Sequence, residues 1–343
     1  MQRLTVTGRL LITALILAGL YFGFKYVGGV DLLQALKSKS EDTRTKSESE
    51  SSAASSENSA AERTAPASEQ ATDSPRQGFA YEAPVPKEGK LKGVVELGAS
   101  GFNSFIVRID ADKNWKLEKA EFGNSLVLEN MATDEDVRIG LKKYISTMLD
   151  FGVGGRDIHF VVSSGAVKAD VTQKIIRVLK SLNYTVNTVT PEEEGRFGLR
   201  SVLPTEFYGS AFVVDIGSGN TKISWKDGNR TTALETYGSK YFQESKSDSD
   251  VYDEVKAKAK QIPSDHRKTC FIIGGVPFEL AKAVRKGKER YTVLDAPSAY
   301  KLENAKSKAG LNIYKAVADA TGAEQFVFDW DANFTIGFLL ELK

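Results

Sequence analysis

Two acidic residues stand at matching places in two similar stretches of the sequence. Glu96 and Asp215 each follow an apolar strand-like run, and each precedes one apolar residue, a glycine-rich turn and a returning strand. Such turns present backbone N–H groups to an anion, and carboxylates beside phosphate act through a metal or by orienting water. We therefore expect Glu96 and Asp215 to hold Mg²⁺ beside a phosphate polyanion or nucleotide. The residues expected to contact phosphate are Gly98, Ala99, Ser100, Gly101, Gly217, Ser218, Gly219, Asn220, Thr221 and Lys222.

A third turn and an acidic cluster add to this set. The apolar run 271–273 leads into Gly274-Gly275 before a predicted helix at 277–284, where free N–H groups favour an anion or a base. Three glutamates, residues 192–194, follow Pro191 and are candidates for a residue that orients water, although acids at a helix N-terminus are also favoured for structural reasons. A single turn is more often structural. Three turns in this order favour a phosphate- or nucleotide-binding cleft.

The surrounding elements alternate between strands and helices. Apolar spacing predicts helices at 134–150 and 170–182 and strands at 158–162 and 184–189. Because the unit of strand, acid, turn and strand occurs twice, we predict a duplicated α/β fold with a cleft between its halves.

The composition excludes several other kinds of site. A formal net charge of +1 argues against a protein that binds a nucleic-acid duplex through a strong basic field. One cysteine, Cys270, excludes an internal disulfide, and two histidines argue against a multi-histidine metal centre. Cys270 lies in an apolar run, and we expect it to be a small buried residue.

The N-terminal part of the chain has a different character. Residues 1–9 are basic, and residues 10–29 are apolar enough for one transmembrane helix if Lys25 reaches the interface; a cleaved signal peptide is the alternative. Residues 30–90 are rich in Ser, Ala and Glu and predict a disordered tether, with the folded core beginning near Lys92. We expect a single-pass plasma (inner) membrane protein with a cytoplasmic N-terminus, bound to the lipid bilayer through residues 10–29. The side of the folded domain, and whether the chain forms a homodimer, stay open.

The motifs resemble those of the exopolyphosphatase / guanosine pentaphosphate phosphohydrolase (Ppx/GppA) family. The similar stretches are, in the family's order, residues 94–102, 163–168, 193–197, 213–221 and 273–275. The resemblance implies the actin–Hsp70–sugar kinase superfold, with halves at 91–205 and 206–343. It also implies hydrolysis of a terminal phosphoanhydride, of the polyphosphate or guanosine pentaphosphate type, with Glu194 as the catalytic base.

The chain departs from the family motifs at several positions. Lys222 replaces the glutamate that closes the second turn, Ala99-Ser100-Gly101 replaces Ser-Asn-Ser in the first, and Lys168 replaces an arginine. These changes leave a second function open: a catalytically degenerate module at the membrane that senses a nucleotide or polyanion or acts as a scaffold. Lys222 is expected to face the phosphates, or alternatively to point into solvent from a strand edge. A third alternative, a filament-forming actin-like ATPase, predicts a larger subdomain insertion, of which the sequence has no sign.

Overall fold

A computed structural model of the protein describes residues 79–98, 101–123 and 133–342. The predicted transmembrane helix and most of the predicted tether lie outside these residues, as do Ala99 and Ser100 of the first turn. Among the described helices, none has the length and apolar character needed to cross a membrane.

The first half is built on a five-stranded sheet. Its strands are β1 (Lys90–Gly98), β2 (Gly101–Ile109), β3 (Trp115–Phe122), β4 (Ile158–Val162) and β5 (Val186–Thr188). The sheet order is β3-β2-β1-β4-β5, with β1, β4 and β5 parallel and β2 antiparallel to both neighbours. The predicted hairpin is confirmed, since Val94 pairs with Phe105 and Gly98 with Gly101.

Two helices, α1 (Asp134–Asp150) and α2 (Asp170–Ser181), contribute to one hydrophobic core with this sheet. Helix α1 begins at Thr133 because the Thr133 side chain accepts from the Asp136 N–H and the Asp136 side chain accepts from the Thr133 N–H. Both helices lie where the apolar spacing predicts them, to within a residue.

The second half repeats the same plan in a six-stranded sheet. Its strands are β6 (Ala211–Ile216), β7 (Asn220–Asp227), β8 (Arg230–Tyr237), β9 (Thr269–Gly274), β10 (Tyr291–Val293) and β11 (Gln325–Asp329). The order β8-β7-β6-β9-β11 matches β3-β2-β1-β4-β5 in strand directions, and β10 adds an antiparallel edge. The duplication is confirmed. Asp215 on β6 corresponds to Glu96 on β1.

Three helices, α4 (Asp248–Ala259), α5 (Gly275–Val284) and α6 (Ala305–Thr321), pack with the second sheet into a second core. Cys270 on β9 is fully buried in it, so its predicted structural role is confirmed. The β9–α5 junction at Gly274 is the predicted third turn.

Two further helices, α3 (Pro191–Val202) and α7 (Phe334–Glu341), each pack against the sheet of the other half of the chain. Helix α3 packs against β7 and β8 of the second sheet, whereas α7 packs against β1 and β2 of the first and against α3. Gly337 permits the close approach of these helices, because a Cβ atom there would lie 1.8 Å from the Phe197 carbonyl oxygen. The strands divide at the predicted boundary between residues 205 and 206, but the division into two domains stays a prediction.

The tether does not extend to residue 90 as predicted, and the packed chain begins well before Lys92. The Phe79 ring lies 5.5 Å from the rings of Phe271 and Tyr291, between centroids, and so belongs to the apolar face of the second sheet. The Lys87 N–H donates to the Asp110 carboxylate of the first half at 3.0 Å. Two aromatic residues, Phe79 and Tyr81, at the end of a polar segment supply the apolar surface that the rest of that segment lacks.

Candidate functional site

A cavity of about 390 Å³ lies where the ends of β1 and β6 meet. It is within the size range of small-molecule sites. Twelve of the predicted site residues line it: Glu96, Gly98, Gly101, Glu194, Asp215, Gly217, Ser218, Gly219, Asn220, Lys222, Gly274 and Gly275. Thr221 does not line the cavity. It lies between Asn220 and Lys222 on β7, where successive side chains point to opposite faces of the sheet, and its own side chain is fully buried. The structure thus brings the three glycine turns, the two strand-end acids and the predicted base to one place.

Several glycines of these turns lie at close approaches of the backbone. A Cβ atom at Gly219 would lie 3.1 Å from the Gly165 Cα atom, so the second turn and the chain after β4 meet without room for a side chain. Gly274 has a φ of +112°, and a Cβ atom there would lie 2.3 Å from the Ile216 carbonyl oxygen. The turns are therefore held in shapes that favour glycine.

The predicted base, Glu194, takes part in a buried ion pair. Lys222 donates from Nζ to Glu194 Oε1, and both side chains are less than 5% exposed. The other oxygen, Oε2, accepts from the Ser164 N–H at 2.8 Å and the Ser164 hydroxyl at 2.5 Å. Lys222 faces the cavity and not solvent, so the strand-edge alternative is wrong.

The network continues through Asn220 and links the two halves. The Asn220 Oδ1 atom accepts from Lys222 Nζ at 2.5 Å, and its Nδ2 atom donates to the Ser164 hydroxyl at 2.9 Å and to Glu235 at 2.6 Å. Ser164 follows β4 of the first half, whereas Asn220, Lys222 and Glu235 belong to the second. Because every polar group in this network has a partner, it orders the cleft.

Glu96 is held by amide groups from two distant parts of the chain. Its Oε2 atom accepts from Asn103 Nδ2 at 2.9 Å and from Asn333 Nδ2 at 3.0 Å. Burial raises the pKa of Glu96 to about 7, and the nearby carboxylates of Glu194 and Asp215 add to this rise while the two amides oppose it. Glu96 therefore carries a proton over part of the neutral range.

Asp215 has a similar environment on the second strand. Burial raises its pKa to about 6, the Lys222 ammonium opposes this rise, and Glu194 adds to it. In each hairpin the acid pairs across the strands with a polar residue, Glu96 with Asn103 and Asp215 with Lys222. The second hairpin thus has an ammonium group where the first has an amide.

The described fold is similar to those of several solved phosphatases. The described fold is similar to the Ppx/GppA phosphatase of Aquifex aeolicus in its type II form, with 16% identity, a TM-score of 0.54 and coverage of 73% of this chain and 98% of that one. It is similar to another structure of the Aquifex aeolicus enzyme, with 16% identity, a TM-score of 0.57 and coverage of 74% and 99%. It is also similar to an exopolyphosphatase from Cytophaga hutchinsonii, with 15% identity, a TM-score of 0.57 and coverage of 74% and 99%.

The fold is that of the Ppx/GppA phosphatases. The resemblance indicated by the five sequence motifs is confirmed at this level, and the strand orders confirm the duplicated α/β architecture. No family model matches the sequence, and no curated protein matches it. At this level of identity the similarity establishes the fold alone.

Within the Ppx/GppA fold, the donor set for a metal is small. The described residues contain no group of three His, Cys, Asp or Glu side chains that would hold an ion. Glu96 and Asp215 supply two carboxylates, and the Lys222 ammonium lies close enough to influence the pKa of Asp215. A cation at that place opposes binding of a second one. These residues do not fit a resident magnesium ion, and Mg²⁺ binding stays a prediction for a complex in which phosphate oxygens supply most ligands.

Several residues of the cavity were missed by reasoning from the sequence. They are Asn103, Asn333, Lys306 and three aromatic residues, Phe122, Phe278 and Trp330. Asn333 follows Asp331-Ala332 and precedes a helix, so its role as an N-cap is recognisable from sequence. Its donation to Glu96 is not, because the two residues are 237 positions apart.

Proposed function

We propose that the cleft binds a phosphate polyanion, of the nucleotide or polyphosphate type, and that the protein senses this ligand without hydrolysing it efficiently. The observation that carries the proposal is the buried pair of Lys222 and Glu194. This pair supports both the binding and the slow hydrolysis in the proposal. Lys222 supplies an ammonium group to the cleft, and Glu194 is the predicted base.

An ammonium group, that of Lys222 in its pair with Glu194, lies beside the second turn. The Lys222 Nζ atom lies 3.9 Å from the position that a Cβ atom of Gly217 would occupy. A lysine ammonium in a phosphate-binding turn neutralises phosphate charge as a point charge. At the third turn, Lys306 Nζ lies 3.7 Å from the corresponding position at Gly275. Together with the backbone N–H groups of the turns, these two cations favour a ligand with several phosphate groups.

Glu194 is poorly placed to activate water in this arrangement. Transfer of a phosphoryl group to water requires a residue that positions the water with a free acceptor. Both oxygens of Glu194 already accept hydrogen bonds, one from Lys222 and the other from Ser164. The one acceptor site left on Oε1 lies beside the Lys222 ammonium, which neutralises the charge that a general base uses.

Hydrolysis of a terminal phosphoanhydride is the second candidate. It is favoured by the presence of Glu96 and Asp215 in the same cavity and by the fold shared with proteins named as phosphatases. We propose for either function that the domain is tethered to the inner membrane through residues 10–29.

Two measurements on the purified full chain test the proposal. The first is calorimetric titration with inorganic tripolyphosphate, once in the presence of Mg²⁺ and once in EDTA, and the second is an assay of phosphate release. We expect binding in EDTA and release at the rate of buffer alone. Lys306→Met should weaken binding about tenfold, as expected for one lost charge-assisted contact. The exposed Lys315, which is paired with Asp319, provides the control Lys315→Met, and binding should not change.

Two other outcomes would contradict the proposal. Rapid Mg²⁺-dependent release would establish the hydrolase, and a rate lowered about 10²- to 10⁴-fold by Glu194→Gln in protein shown to be folded by its tryptophan fluorescence would establish Glu194 as its base. An absence of binding under both conditions would refute the cleft as a polyanion site.

A further inference from the structure

Three exposed lysines lie close together along the chain in the second half. Lys282 is in the last turn of α5, and Lys286 and Lys288 are in the connection between α5 and β10. None of the three has an ion-pair partner within residues 79–98, 101–123 and 133–342. Residues 282–288 are called the basic loop below.

Contacts of the neighbouring side chains hold the basic loop in one shape. Arg285 Nη2 donates to the Glu289 carbonyl oxygen at 2.6 Å, and the Arg285 guanidinium lies 3.8 Å from the centre of the Trp330 ring. The Glu289 carboxylate accepts from the Lys286 N–H at 3.3 Å and from the Thr292 hydroxyl at 3.1 Å. Arg285 and Glu289 thus contribute to the structure of the loop, while its three lysine side chains stay exposed.

The surface around the basic loop has an excess of positive charge. Residues 279–289 contain four basic and two acidic residues, which gives a net charge of +2, whereas the whole chain has a net charge of +1. One of the two acids, Glu279, accepts a hydrogen bond from the Ser307 hydroxyl. Exposed ammonium groups in excess over carboxylates attract a partner with many negative charges.

The basic loop lies beside the place where the chain enters the described domain. Tyr291 follows the loop closely in sequence, and its ring centroid lies 5.5 Å from that of Phe79 and 5.6 Å from that of Tyr81. Residues 30–78 join Phe79 to the proposed membrane helix. A membrane attached through such a linker is an intramolecular partner, so that weak attraction is enough to hold the loop against it.

We propose that the basic loop docks on the anionic phospholipid headgroups of the membrane to which the chain is tethered. This inference rests on the proposed tether and is independent of which ligand the cleft binds. Each basic residue near an anionic membrane surface strengthens binding about fivefold, and salt screens the attraction. Phe278, one turn before Lys282 on α5, lines the cavity. Docking therefore places the mouth of the cleft near the headgroups.

The test is hydrogen exchange of the full chain in two kinds of nanodisc, one of phosphatidylcholine alone and one that also contains phosphatidylglycerol. Peptides that cover residues 279–290 should exchange more slowly in the anionic nanodisc, and high salt should remove this protection. The variant Lys282→Gln/Lys286→Gln/Lys288→Gln should lose the protection, because removal of three such charges weakens the attraction roughly 100-fold.

The matched control is Lys142→Gln/Lys143→Gln/Lys180→Gln, which removes three exposed lysines from α1 and α2 of the first half and should keep the protection. Equal exchange in the two nanodiscs, or protection that survives in the variant of the basic loop, would overturn the inference. Protection of the same peptides by tripolyphosphate without lipid would also overturn it, since the loop would then belong to the polyanion site.

Failure of the full chain to enter nanodiscs would refute the tether separately. The same peptides would then be followed after addition of phosphatidylglycerol vesicles to the full chain in solution. Unchanged exchange in that experiment would refute the basic loop as a lipid-binding surface, whereas binding of tripolyphosphate in the cleft would be unaffected by either result.

Discussion

Removal of either partner of the Lys222–Glu194 pair should destabilise the folded domain strongly. Lys222→Met leaves the Glu194 carboxylate buried with only its Ser164 donors. Glu194→Gln leaves the Lys222 ammonium buried without its carboxylate partner, and it keeps the hydrogen bond to Asn220. Both side chains are less than 5% exposed, so water cannot solvate the charge that remains.

The size of the effect follows from this burial. Loss of one partner of a buried ion pair costs about 3–5 kcal/mol of unfolding free energy. Because the charge left in each single variant keeps some hydrogen bonds, we expect a cost of about 3 kcal/mol for both. The double variant Lys222→Met/Glu194→Gln removes both charges of the pair, and only the nearby Asp215 loses the influence of the ammonium. It should cost no more than either single variant, which corresponds to a coupling energy of about 3 kcal/mol or more.

Urea unfolding followed by tryptophan fluorescence measures these free energies. The three tryptophans of the chain, Trp115, Trp225 and Trp330, all lie in the described residues, so the signal reports on the folded domain and not on the predicted membrane helix. Lys315→Met removes an exposed i,i+4 pair with Asp319 and should change stability far less. Strictly additive costs of the two single variants, or single costs as small as that of the control, would refute the role assigned to the pair.

Two further predictions concern pH and the membrane. Burial raises the pKa of Glu96 from its ordinary value of 4.5 to about 7, so the native state binds more protons than the unfolded chain between these pH values. The free energy of unfolding should therefore fall as pH rises from about 4.5 to 7. Glu96→Gln should make this dependence on pH weaker. An unchanged slope in urea titrations of that variant would contradict the assignment. The full chain should stay in the membrane fraction after alkaline carbonate extraction and a chain without residues 1–29 should not; release of both would contradict the membrane helix.

Much of the fold is predictable from sequence because its signals are local. The hairpins at 94–109 and 212–226 follow from pairs of apolar runs with a glycine-rich turn between them, and the helix at 134–150 follows from apolar spacing with acids at its start. The duplication follows from the same pattern occurring twice. Boundaries are weaker signals. Phe79 and Tyr81 belong to the core although they follow a polar segment, since two rings are too few to mark an ordered stretch by composition.

The candidate site is predictable only as a set of residues. Turn chemistry selects Glu96, Asp215 and the glycines, and the family resemblance selects Glu194. Strand topology explains why they meet, because the corresponding strands of the two halves end at one cleft. The state of each residue depends on its neighbours in space. Thr221 is removed from the site by the alternation of β7, in which it lies between two residues that face the cavity.

The sequence by itself determined the duplicated α/β plan and the position of the turns, since both arise from interactions between residues close along the chain. Only the tertiary structure decided that Lys222 pairs with Glu194, 28 residues away, and that Asn333 donates to Glu96 across 237 residues. It also decided that Phe122 faces Phe278 at the mouth of the cavity. These contacts join separate elements, and their partners are specified by how the two halves pack and not by any local pattern.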